Sequence, residues 1–169
     1  RSLIVSPTAS GKSFIIYLLM QWYAENKSLI IVPTISLVHQ MATDFIEYGM
    51  DKDEIHQITA GVDKETDKRI VVSTWQSLQK MPLQYFQQYD TVIGDECHQF
   101  KAKSLTEIMT KLTDTKYRFG FTGTLDGTQT HKLVLEGLFG QVKQFVKTKD
   151  LIDREQLADF RIKALLLTY

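Results

Sequence analysis

Short apolar runs recur along this chain near residues 2–6, 28–32, 54–59, 69–73, 91–95 and 117–122, each the length of a buried strand. Between most of them apolar residues return at helical spacing. Ile15, Leu18, Leu19 and Trp22 fall at i, i+3, i+4 and i+7, as do Leu105, Ile108, Met109 and Leu112, so both stripes are expected to face a core. Ser104-x-x-Glu107 reads as a capping box that starts the second of these helices. Two more strand-like runs follow, from Val142 to Val146 and from Ile162 to Leu167. Strands that are apolar throughout and alternate with helices predict an α/β fold, a mainly parallel sheet covered by helices on both faces.

Length and composition leave that picture standing. A chain of 169 residues with 43% hydrophobic content can bury a sizeable core as one domain. Lys plus Arg and Asp plus Glu number 20 each, so the net charge carries no nucleic-acid footprint, although a neutral domain can still hold a local patch. A single cysteine argues against a disulfide framework and suits a reducing, cytoplasmic setting. No apolar run approaches the roughly 18 residues of a membrane span, and neither a signal peptide nor a repeat is evident.

The candidate chemistry begins where the first strand gives way to a helix. Ser6-Pro7-Thr8-Ala9-Ser10-Gly11-Lys12-Ser13 follows Leu3-Ile4-Val5 and opens an apolar helical pattern, the context of a phosphate-binding loop. Consecutive backbone N–H groups at a helix N-terminus cradle crowded phosphate oxygens without a bulky side chain intervening. Thr8, Ala9, Ser10, Gly11, Lys12 and Ser13 are the expected nucleotide-binding residues, with Lys12 reaching the β/γ-phosphates and Ser13 holding Mg²⁺. The pattern normally starts with glycine, and Ser6 stands in that place.

A second constellation lies at the end of the fifth run. Asp90-Thr91-Val92-Ile93-Gly94 leads into Asp95-Glu96-Cys97-His98, two adjacent carboxylates at the carboxyl end of a strand, where open α/β sheets bind their ligands. Asp95 suits a direct or indirect Mg²⁺ contact, and Glu96 suits orienting and deprotonating a water for in-line attack on a γ-phosphate. Taken alone, Asp-Glu is equally an ordinary helix start; two such sites in strand-then-turn contexts favour a shared catalytic set of Lys12, Asp95 and Glu96. A zinc site fails on ligand count, since Cys97 is the sole cysteine and is better read as a small buried hydrophobe.

These residues resemble the superfamily 2 helicases and translocases, whose second motif reads Asp-Glu-x-His. Ile31-Val32-Pro33-Thr34-Ile35-Ser36-Leu37-Val38-His39-Gln40 is similar to motif Ia, Val71-Val72-Ser73-Thr74-Trp75-Gln76-Ser77-Leu78 to a later DNA-contact motif, and Phe121-Thr122-Gly123-Thr124 to motif III. The resemblance covers nearly the whole chain. It implies a RecA-like ATP-binding domain over residues 1–147 and, over 148–169, a segment leading toward a second RecA-like domain. It implies ATP and Mg²⁺ as cofactors, and as partner single-stranded or branched DNA, or an RNA–DNA hybrid, held mainly through its backbone. Pro33, Thr34, Ser73 and Thr74, with residues 59–61, are the expected nucleic-acid contacts. His98, Thr122, Gly123 and Thr124 are the expected coupling residues, through a hydrogen bond from the His98 ring to Thr122 or Thr124. Ile35 replaces the family's usual Arg and Gly123 its usual Ala.

The resemblance also implies that the adenine-reading segment and the arginine-bearing motifs lie outside these residues, since Arg1, Arg69, Arg118, Arg154 and Arg161 sit in nothing like an arginine-finger motif. Two other readings remain beside the helicase motor. One is a P-loop enzyme of another kind, such as a kinase or a switch GTPase, the latter expected to carry an Asn-Lys-x-Asp guanine reader, which is absent; the other, a docking module with a vestigial ATP site, sits poorly with intact Lys12, Ser13, Asp95 and Glu96. Trp75 is offered either to a base or to the core, and the start of an amphipathic helix favours the core.

Overall fold

A computed structural model of the chain describes residues 1–7, 10–125 and 129–145. Seven strands, β1 (Ser2–Val5), β2 (Ser28–Val32), β3 (Ile55–Ile58), β4 (Ile70–Thr74), β5 (Thr91–Gly94), β6 (Tyr117–Thr122) and β7 (Val142–Gln144), form one sheet in the order β3-β4-β2-β5-β6-β1-β7. Every pairing is parallel. The helices are α1 (Lys12–Trp22), α2 (Ile35–Glu47), α3 (Trp75–Leu78), α4 (Leu83–Phe86), α5 (Ala102–Lys111) and α6 (Gln129–Phe139). Ile162 to Leu167, and residues 148–169 as a whole, lie outside the described residues.

The strands are apolar throughout because both faces are covered, and their two-residue side-chain period sorts them into two cores. Leu29 and Ile31 of β2 pack with Leu78, Phe86, Leu105, Ile108, Phe139 and their neighbours, the layer supplied by α3 to α6. Ile30 and Val32 of the same strand pack on the opposite face with Ile16, Met20, Val38, Met41 and Phe45, the layer supplied by α1 and α2. Trp75 is partly buried against the first core, in keeping with its sequence context.

The predicted stripe of α5 is buried in full: Leu105, Ile108, Met109 and Leu112 are each 1% exposed or less. The stripe predicted for α1 is corrected. Ile16 and Met20 are its fully buried residues, Ile15 and Leu19 pack only partly, and Leu18 (49%) and Trp22 (83%) are exposed. Lys12 turns toward the loop, and positions 16 and 20, one and two turns on, fall on the same side, so Phe14, Leu18 and Trp22 ride the outer face. The capping box is corrected too: α5 starts at Ala102, Ser104 is buried within its first turns, and Glu107 accepts a hydrogen bond from Gln79 Nε2 (3.0 Å).

Two glycines are required by packing. A Cβ on Gly120 would lie 2.8 Å from both Leu3 Cδ1 and Phe139 Cγ, and one on Gly94 would lie 2.9 Å from Phe139 Cζ and Cys97 Sγ. Paired across β5 and β6, they make the depression that seats the Phe139 ring of α6.

Candidate functional site

Strand order brings the dispersed motifs together. β5, β6 and β1 are consecutive in the sheet, so their carboxyl ends set Asp95-Glu96, Thr122-Gly123 and the Ser6–Ser13 loop side by side. Ser6 extends the ladder beyond β1, donating its N–H to Thr122 O (2.9 Å); its φ is not positive, which is why glycine is not demanded there. The Ser10 hydroxyl bonds to Pro7 O and to the Ser6 hydroxyl, closing the turn. Thr8 and Ala9 lie outside the described residues.

Gly11 stands at the N-cap of α1 with φ 76°, a left-handed conformation that glycine adopts without a Cβ penalty. Among the described residues no side chain caps α1 and no acidic residue occupies its first turn, which leaves its first amides and the positive end of its dipole for an anion. Gly11, Lys12, Ser13, Leu37, Gln40, Met41, Asp44, Asp95 and Glu96 line a cavity of about 410 Å³.

Lys12 joins the two halves of the site. Its Nζ lies 3.2 Å from Glu96 Oε1 and donates to Ser6 O at 3.2 Å. The other carboxylate oxygen, Glu96 Oε2, accepts from Gly123 N (3.3 Å) and lies 3.4 Å from His98 Nδ1. Glu96 is also the one non-glycine residue with positive φ among the described residues (φ 49°), a backbone state that costs energy and occurs preferentially at functional sites. A Cβ at Gly123 would meet Glu96 Oε2 and Lys12 Nζ at 3.8 Å, ordinary contact, so the family's usual alanine fits this position as well.

Asp95 is 6% exposed, and its carboxyl is pushed up to about 6, first by burial and then by the adjacent Glu96 charge; its own bond from Glu96 N–H and the charge of Lys12 act the other way. Asp95 and Ser13 line the same cavity, and a carboxylate with a serine hydroxyl offers the hard oxygen donors a divalent cation takes, the cation favouring the ionised form of Asp95 that burial opposes. Together with the uncapped α1 terminus, this donor set fits a Mg²⁺–nucleotide. Cys97 is fully buried, donates its Sγ–H to Gly94 O (3.0 Å), and has its thiol pushed well upward by burial, as befits a small apolar side chain.

His98 Nδ1 lies 2.8 Å from Thr122 Oγ1, and that hydroxyl donates to Thr124 O (2.6 Å). A hydroxyl has one proton, so Thr122 accepts from His98 and the ring carries its proton on Nδ1.

The residues expected to meet nucleic acid gather elsewhere. Pro33, Thr34, Ile35, Ala60, Thr74, Gln76 and Ser77 line a groove of about 400 Å³ at the N-terminal ends of α2 and α3. Thr34 Oγ1 accepts from Leu37 N (3.3 Å) and Thr74 Oγ1 from Ser77 N (3.4 Å), so both threonines cap their own helices. Pro33 and Ser73 are buried, and the Ser73 hydroxyl donates to Thr74 O (3.2 Å). Sequence reasoning overlooked the α2 contribution to the cavity beside Lys12, namely Leu37, Gln40, Met41 and Asp44, followed one turn later by Tyr48, whose OH lies 3.0 Å from Ser13 Oγ. Their spacing on one helical face was visible, but nothing in it says which cavity that face overlooks.

Known proteins extend this picture. A family profile described as "Type III restriction enzyme, res subunit" matches residues 1–127. The ATP-dependent DNA helicase UvsW of Enterobacteria phage T4 is 35% identical over 177 residues, an alignment covering all of this chain and 35% of that protein. A crystal structure of the T4 UvsW helicase superposes with a TM-score of 0.77 at 36% identity, over 85% of this chain and 54% of that one. The Hef helicase domain of Pyrococcus furiosus shares the fold (TM-score 0.70, 18% identity, 85% of this chain and 35% of that one). The chain thus spans about a third of the length of its curated relative. By family and by fold, it belongs to the type III restriction enzyme res-subunit family and is a RecA-like domain of the superfamily 2 helicases.

Proposed function

We propose that this chain is the ATP-binding motor domain of an ATP-dependent DNA helicase or branched-DNA translocase acting in recombination, repair or replication. The observation that carries the reading is the contact set on Glu96: Lys12 from the phosphate loop on one oxygen, Gly123 and His98 on the other. Bound in the cavity, Mg²⁺·ATP would supply an electrophilic γ-phosphorus, with the metal neutralising charge on the phosphate oxygens. The α1 amides, with Ser10 and Gly11, would cradle the phosphates, Lys12 would balance their charge, and Ser13 and Asp95 would hold the metal. Thr8 and Ala9 belong to the same loop in this reading. Lys12 engaged with phosphate would let go of Glu96, freeing Oε1 to meet and orient the attacking water.

His98 and Thr122 would carry the state of Glu96 to Thr124 and the outer surface of the domain. The groove beside α2 would hold a nucleic-acid backbone, with free N–H groups at helix starts taking phosphate oxygens and no base-reading element. Among the described cavity-lining residues there is no arginine. Arg69 is engaged with Glu54 and Met20 O, and Arg118 with Leu112 O. In this reading a second RecA-like domain would bring the transition-state arginine.

Two variants of the full-length parent protein test the site. Lys12→Ala is expected to weaken Mg²⁺·ATP binding measured by calorimetry without moving the ligand-free melting temperature. Glu96→Gln is expected to keep that binding and to lose at least about a hundredfold in turnover, the scale of a general base. Undiminished turnover in Glu96→Gln, or wild-type affinity in Lys12→Ala, rules the assignment out.

A further inference from the structure

Ser13 is bonded across 35 positions of sequence to Tyr48, the residue that ends α2. The Tyr48 ring is fixed from the α1 side, edge-on to Phe14 (5.1 Å between centroids, 82°) and to Tyr17 (5.5 Å, 62°). From behind, the Tyr48 backbone N–H donates to Asp44 O and Ile46 O, which continues the turn of α2 that faces the cavity. The phenol oxygen is therefore held in place by packing that owes nothing to the hydroxyl itself.

We propose that Tyr48 is a positioning residue for the metal. Resting on the nucleotide reading above, the inference is that its hydroxyl holds Ser13 in the orientation that ligates Mg²⁺. A hydroxyl that binds a cation through an oxygen lone pair keeps its proton, and that proton needs an acceptor. The Tyr48 oxygen supplies one at 3.0 Å, so the hydrogen bond and metal ligation use different parts of Ser13 and reinforce each other. Without the phenol, the Ser13 hydroxyl is free to rotate among its staggered positions and is paired only by solvent.

Tyr48→Phe removes the hydroxyl and keeps the ring between Phe14 and Tyr17. The test titrates MgCl₂ against a fixed concentration of fluorescent ADP on the full-length parent protein. In the variant, the Mg²⁺ concentration for half-maximal binding is expected to rise about tenfold, the lower end of what partners of metal ligands contribute. ADP affinity in EDTA should stay at the wild-type value, which a general loosening of α1 against α2 would not allow. On a Ser13→Ala background the same substitution should shift nothing, since the bond it removes is already gone. An unshifted Mg²⁺ requirement in Tyr48→Phe, or a shift that persists on Ser13→Ala, overturns the proposal while leaving the nucleotide site intact. If wild-type ADP binding ignores Mg²⁺ altogether, the metal reading falls and this inference with it.

Discussion

Asp95 is where the site works against the stability of the fold. The folded carboxyl takes up its proton at about 6, while its ordinary value is 3.8. Between those two values the folded state binds more protons than the unfolded one, so stability attributable to Asp95 grows as pH falls through the window and is lost as pH rises through about 6. Asp95→Asn, which keeps an oxygen for the Glu96 N–H, should therefore melt higher than the metal-free wild type at pH 7.5, by a margin on the order of 1–3 kcal/mol. The margin should vanish near pH 4. Thermal unfolding of both proteins across that range checks the sign, and equal melting at pH 7.5 contradicts it. Glu96 combines a left-handed backbone with side-chain contacts to Lys12 of α1, to Gly123 just after β6 and to its near neighbour His98.

At the scale of elements, the β5–β6–β1 triplet is the platform for the site and α6 is its backing. Phe139 packs into the depression left by Gly94 and Gly120, where an added Cβ would come within 2.8 to 2.9 Å of its ring. Gly120→Ala is expected to destabilise the domain by about 1–3 kcal/mol through overpacking. Gly123→Ala, three residues along the same segment, should be near neutral, because its Cβ meets nothing closer than 3.8 Å. Chemical denaturation of the two variants in parallel measures the contrast, and similar losses would show that the ring has room to move. α2 plays a double part, starting at the Thr34 groove and ending at Tyr48 beside Ser13, so one rigid helix touches both proposed ligand surfaces.

At the scale of the whole molecule, the proposed motor calls for a transition-state arginine that the described cavity does not supply. With no arginine lining the described cavity, the 169-residue chain by itself should bind Mg²⁺·ATP yet turn it over far below about 1 s⁻¹, the lower end of typical enzyme rates. An arginine supplied from a second domain is worth roughly 10³ to 10⁵ in related phosphoryl transfers. Phosphate release from the purified chain, with and without branched DNA, measures this directly. Turnover near 1 s⁻¹, or stimulation by DNA, would mean that the catalytic set is complete without a second domain.

Local patterns carried the strands and the motifs. The six strand predictions fall within one residue or so of the observed elements, because strands buried on both faces must be short apolar runs. The loop before α1 and the carboxylates after β5 are likewise local arrangements of a strand end and the turn that follows it. The phase of α1 was not legible. Its apolar residues surround the helix, so periodicity alone allowed Leu18 and Trp22 to face inward, whereas packing against β1, β2 and α2 buried Ile16 and Met20 instead. Nor could spacing disclose that Gly94 and Gly120 yield to Phe139, or that Tyr48 meets Ser13. Those contacts join residues 19 to 45 positions apart, and they exist only once the strand order β5-β6-β1 and the packing of α1 on α2 have been fixed.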